Sequence, residues 1–170
     1  MGVDEFGYNV VLFLHIASAI VGFGGVILSG VYAARARKRP PGEALAIMEA
    51  NTFVAEKVAQ IFIYLTALWG FGLVGMSDDT WDFGQAWIWV SIVLFVIAVG
   101  ISHGVMRPRV HKMLELMRSV AGRGAPAGGP PPEAKEMGAV GQQIGVTGLA
   151  LDVFLAVILI LMIWKPGAPF

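Results

Sequence analysis

The sequence predicts an all-α membrane protein, a four-transmembrane-helix bundle with the N-terminus and C-terminus outside. Three observations predict it. Hydrophobic residues make up 56% of the 170 residues and charged residues 14%, whereas a soluble domain carries roughly 25% charged residues. Four runs are long and apolar enough to span a bilayer. The charges are segregated, although their formal sum is zero. The mean hydropathy of +0.72 agrees.

The spans run from about Val10 to Ala34, Phe53 to Met76, Ala86 to Met106 and Gly145 to Trp164. Crossing hydrocarbon takes roughly 20 apolar residues at 1.5 Å rise each. In lipid the backbone must satisfy its own hydrogen bonds, so each span is predicted to be a helix. A chain of this length is expected to make one domain, 1–170, interrupted by a Gly/Pro-rich linker at about 122–132. The acidic leading segment and the basic cluster after the first span predict a retained anchor rather than a cleaved signal.

Orientation follows from Lys and Arg. Arg35, Arg37, Lys38, Arg39 and Lys57 flank the first loop; Arg107, Arg109, Lys112, Arg118, Arg123 and Lys135 flank the second of that side. Eleven of the twelve basic residues therefore share one side, the expected cytoplasm, and only Lys165 lies opposite. The outer side carries Asp4, Glu5, Asp78, Asp79 and Asp82. It also carries an expected aromatic belt of Tyr8, Trp81, Trp87, Trp89 and Trp164. A bacterial plasma membrane, crossed several times, is the expected location.

The connections differ. Ser77 to Gln85 reads as a short outer hairpin, and Pro40-Pro41-Gly42 breaks the first inner loop before a helical segment, Glu43 to Ala50. Val110, Met113, Leu114, Met117 and Val120 recur at helical spacing. They predict either a helix lying on the inner leaflet or an extension of the third span.

Helices in lipid associate through small residues that let backbones approach. Ser18, Gly22, Gly25 and Ser29 form one such face. Gly138, Gly141, Gly145 and Gly148 form another, and Gly100 and Gly104 mark the third span. These glycines predict packing. They lack the strand-to-helix setting of a phosphate loop.

Few polar residues fall inside the spans. His15, on the Ser18 face, is expected about 9 Å below the outer surface. As neutral imidazole it suits haem iron or copper; equally, it suits a hydrogen bond to a neighbouring helix. Asp152 continues the glycine face of the fourth span. It would relay protons, bind a cation, hold His15, or sit protonated against a Ser, Thr or Gln. His103 lies between Gly100 and Gly104, ~15 Å from the depth of His15, so one haem between the two is not expected. His103 otherwise reads as a helix-end residue beside Arg107, and His111 as a solvated loop residue. Glu56 and Gln60 share a face at the inner mouth of the second span, either as a polar entrance or as an interfacial charge pair of Glu56 with Lys57. Met106, Met113 and Met117 read as an apolar stripe more readily than as copper ligands.

The absence of cysteine excludes disulfides, thiolate-held iron–sulfur clusters and thioether-linked haem. There is no nucleophile–base pair at motif spacing, no zinc signature and nothing that suggests nucleic acid.

The segments Leu14-His15-Ile16-Ala17-Ser18 through Gly24-Gly25, Ile101-Ser102-His103-Gly104-Val105-Met106 and Leu161-Met162-Ile163-Trp164-Lys165-Pro166-Gly167 resemble a bacterial family of predicted integral membrane proteins of unknown function. That family is similar in layout to the copper-resistance D proteins and to the membrane protoporphyrinogen oxidase-like proteins. Both carry a histidine near the start of a first span. The resemblance implies haem b as cofactor with His15 as its ligand, by the oxidase-like group; the rest of that group's pattern is not matched. Three functions follow as expectations: a transporter-like bundle or an accessory subunit of a larger membrane complex or homo-oligomer; a b-type haem redox protein; and copper handling through His15, with His103.

Overall fold

The structure, a computed structural model, describes residues 3, 5–122 and 132–167. Asp4, Arg123 and most of the expected Gly/Pro linker lie outside the described residues. Four long helices account for nearly all of the rest: α1, Phe6–Ala36; α2, Pro41–Gly75; α3, Ala86–Gly122; and α4, Ala134–Trp164. All four are long and apolar enough to cross a membrane. The described residues contain no strands.

The helices outrun the apolar runs that predict them. At 35 and 37 residues, α2 and α3 are roughly 50 Å long, against ~30 Å of hydrocarbon. The surplus lies at the end that carries the basic residues. There the segment after Pro41 continues unbroken into the second span. Residues 107–122 likewise continue the third span as a straight extension, not as a separate helix on a membrane surface. The stripe explains why. Leu114 and Met117 are buried, and Met117 packs with Ala36 and Ala44 into a small core lined by Leu45, Ile47, Met48, Met113 and Met137. A protein partner has taken the apolar face that the sequence alone would offer to lipid. Ion pairs ring this core: Arg118 with Glu49 at 2.9 Å and Lys112 with Glu136 at 2.6 Å.

Each of α2 and α3 contains one π-helical turn, Val54–Ala59 and Ser102–Met106. In these turns the backbone N–H groups of Gln60 and Arg107 reach back five residues, to Ala55 and Ser102. The second turn has a local cause. Pro108 has no N–H to give the carbonyl four residues back, which belongs to Gly104, and its ring crowds that turn.

The helices pack as two pairs. In the first, the small-residue face of α1 meets α2. Ser18 and Gly22 are buried. A Cβ on Gly22 would stand 2.9 Å from the backbone nitrogen of Ile63, and one on Gly25 would stand 2.8 Å from the Cβ of Ala59. The Ser29 hydroxyl donates back to Gly25 O, and Asn51 of α2 donates to Ser29 O. In the second pair, α3 packs along α4. Here the glycines of α4 meet methionine tips: Met113 Cε lies 3.5 Å from a Cβ built at Gly141, and Met106 Cε 3.6 Å from one at Gly148. At Gly100, Gly104, Gly138 and Gly145 such a Cβ would meet nothing within 4 Å, so no close approach of backbones occurs at these four.

The pairs hardly touch between their ends. No Cα atom of 60–75 comes within 8 Å of one in 86–101, although the two are consecutive in sequence. At the basic end they are joined by the core described above. At the opposite end an aromatic clasp joins them. Trp81 Nε1 donates to Tyr8 Oη at 3.0 Å, Trp81 meets Trp87 edge-on at 5.5 Å, and Lys165 Nζ stands 4.1 Å over the Trp81 ring. The first and last turns of the bundle therefore lie together. Tyr8 and Trp87 are buried in this clasp, whereas Trp89 and Trp164 are exposed. Only the latter two occupy the outward positions expected of a membrane-interface belt.

Candidate functional site

Between the two pairs lies a cleft of about 500 Å³. Its walls are mainly aliphatic and aromatic, with Phe23, Ile27, Ile63, Phe95, Leu155 and Ile158 among them. A few polar side chains converge on it: Glu56, Gln60 and Tyr64 from α2, Ser102, His103 and Arg107 from α3, and Asp152 from α4. The π turns sit beside this polar group, one on each side of the cleft.

Gln60, Tyr64 and His103 form a closed triangle. His103 Nδ1 lies 2.9 Å from Val99 O. A carbonyl only accepts, so that nitrogen carries the proton and Nε2 carries a lone pair. Nε2 receives the Gln60 amide at 2.5 Å and the Tyr64 hydroxyl at 2.9 Å, and Gln60 also donates to Tyr64 Oη at 2.7 Å. His103 is thus not an isolated helix-end residue; it is one of the links between the two helix pairs. Tyr64 was invisible to sequence reasoning because a tyrosine within an apolar run is unremarkable until its hydroxyl has partners.

Next to the triangle, Glu56 accepts two bonds from Arg107, Nε and Nη2 each at 3.1 Å, and one from His111 at 2.8 Å. Neither the pairing of Glu56 with its neighbour Lys57 nor a purely solvated His111 survives. Glu56 spans the gap to α3, and its side chain retains only 17% of its exposure. The bidentate fork fixes the spacing of α2 and α3 at this level.

Asp152 opens onto the cleft and has no hydrogen-bond or ion-pair partner among the described residues. It does not hold His15. His15 Nδ1 donates instead to Thr66 O at 2.8 Å, within the α1–α2 pair. Gly70 makes room for the ring: a Cβ there would stand 3.1 Å from His15 Cε1. The donated proton leaves His15 Nε2 as the lone-pair nitrogen. His15 and His103 therefore belong to separate places, one inside a helix pair and one between pairs. Among the described residues no three His, Cys, Asp or Glu side chains converge as a metal site requires.

No curated protein and no solved structure matches the chain. A family model does, over residues 9–166, which include all four helices and every polar residue of the cleft. The chain belongs to the family described as predicted integral membrane protein (DUF2269), and it is an integral membrane protein.

Proposed function

We propose that the protein is a transporter-like membrane protein that binds a small amphiphilic molecule between its two helix pairs. In this reading the basic end faces the cytoplasm, both termini face out, and the membrane is the bacterial plasma membrane. The observation that carries it is the cleft, about 500 Å³ of mainly apolar wall with a few convergent polar groups, the usual composition of a small-molecule site. Joined ends and separated middles also suit a carrier, because two rigid pairs can tilt about either joint. Native mass spectrometry of the protein released from mild detergent tests it. One retained amphiphile per chain is expected, and Ala98→Trp, which fills the cleft from α3, should remove it. Adducts indifferent to Ala98→Trp would refute the reading.

A second reading rests on His15. Its Nδ1–H is fixed by a backbone carbonyl and its Nε2 lone pair is free, the arrangement found in histidines that ligate metal. His15 would hold haem b as an axial ligand, and the haem would supply one-electron redox chemistry. An oxidised-minus-reduced visible spectrum of wild type beside His15→Ala decides. A haem band lost in the variant supports this reading; flat spectra from haem-replete cells remove it.

A further inference from the structure

The charges that line the cleft balance in number but not in place. Four full charges border it: Arg37, Glu56, Arg107 and Asp152. Glu56 is matched by Arg107 in the bidentate pair and touches His111 as well. Arg37 points toward Gly141, eleven residues before Asp152 on the same helix and so ~16 Å away along its axis. The remaining titratable groups on the cleft are Tyr64 and His103, and both are engaged with each other and with Gln60. Asp152 is left as a carboxyl without a counter-charge. It is exposed along the cleft, and within a membrane span a carboxylate is stabilised by a cation beside it.

We propose that Asp152 is the recognition group of the cleft and that its ligand is a lipophilic monovalent organic cation. This rests on the cleft being a binding site. The cation's apolar body suits the aliphatic walls, and Phe23, Tyr64 and Phe95 are among the lining residues. A neutral ligand gains no charge contact with Asp152, and an anionic one would meet it with like charge.

Equilibrium dialysis of the purified full chain in detergent tests this with two probes of similar bulk, tetraphenylphosphonium and neutral triphenylphosphine oxide. Tetraphenylphosphonium is expected to bind at one per chain. Asp152→Asn should weaken it by at least about ten-fold, the scale of one lost charge contact. Asp152→Glu should keep most of the binding and so separate loss of charge from loss of fold. Equal binding of both probes would overturn the cation proposal and leave the cleft reading standing. Binding of neither probe, or cation binding untouched by Ala98→Trp, would overturn both.

Discussion

Gly22 and Gly24 lie two residues apart on α1, yet opposite outcomes are expected when each is replaced. A methyl group at Gly22 collides with the α2 backbone at Ile63, whereas one at Gly24 meets nothing within 4 Å. Backbone cannot swing aside as a side-chain tip can. Gly22→Ala should therefore cost ~1–3 kcal/mol through overpacking. Gly24→Ala should be neutral or stabilising by up to ~1 kcal/mol, because alanine is the better helix former. Thermal unfolding of the two variants in one detergent checks the contrast, and equal midpoints would mean that the small-residue face does not seat α1 on α2. The polar triangle yields a second residue-scale expectation. Tyr64→Phe removes the hydroxyl that serves both Gln60 and His103. It should cost roughly 0.5–1.5 kcal/mol, and the His103 ring resonances should shift in a nuclear magnetic resonance spectrum. Unchanged His103 signals would refute the contact.

At the scale of elements, the extension of α3 is held by the apolar core around Met117. Leu114, with 3% of its surface exposed, sits at the centre of its inward face. Leu114→Ala should cost roughly 2–5 kcal/mol. The loss should show first as proteolysis within 107–122, with the membrane-crossing part of α3 still protected. Protection equal to wild type would mean that the extension is held by its ion pairs. That would be unexpected, since pairs as exposed as Arg118–Glu49 contribute ~0–1 kcal/mol each. The π turns belong to this scale as well. Each adds one residue to a helical repeat, so every side chain beyond it rotates by ~100° relative to an unbroken helix. A helical wheel drawn through 54–59 therefore misplaces Gln60 and Tyr64 relative to the residues before Val54.

For the whole molecule, the joints at the two ends matter more than any single helix contact. Lys165 is the one basic residue predicted away from the basic side, and its ammonium lies over Trp81 and, at 5.9 Å, Trp87. Lys165→Ala should lower the thermal midpoint modestly, by the ~0.5–1 kcal/mol of an exposed cation–π contact. Trp81→Ala should lower it further, because it also strips the bond to Tyr8 and the edge contact with Trp87. Equal effects would show that the aromatic clasp does not join the pairs. Orientation has a direct test, since the chain contains no cysteine. Thr80→Cys, exposed at the aromatic end, should react with a membrane-impermeant maleimide on intact cells, and Lys38→Cys only after lysis. The reverse pattern would place the basic end outside.

Composition and period determined the all-α class, the four apolar runs, the basic and acidic ends and the packing face Ser18-Gly22-Gly25. Each depends on a local property: the length of an apolar run, the position of a charge, or a spacing along one helix. Asp152 and Gln60 were legible as polar residues within such runs for the same reason. What surrounds them was not. The bonds of His103 to Gln60 and Tyr64, and of Glu56 to Arg107 and His111, join residues 39 to 55 positions apart, and they depend on helix phases that the π turns reset. The split into two pairs with a cleft between them depends on which faces meet, and apolar runs that all suit lipid equally well do not decide that. Tertiary structure decided it, through one steric fit at Gly22 and Gly25, one apolar core around Met117 and one aromatic clasp around Trp81.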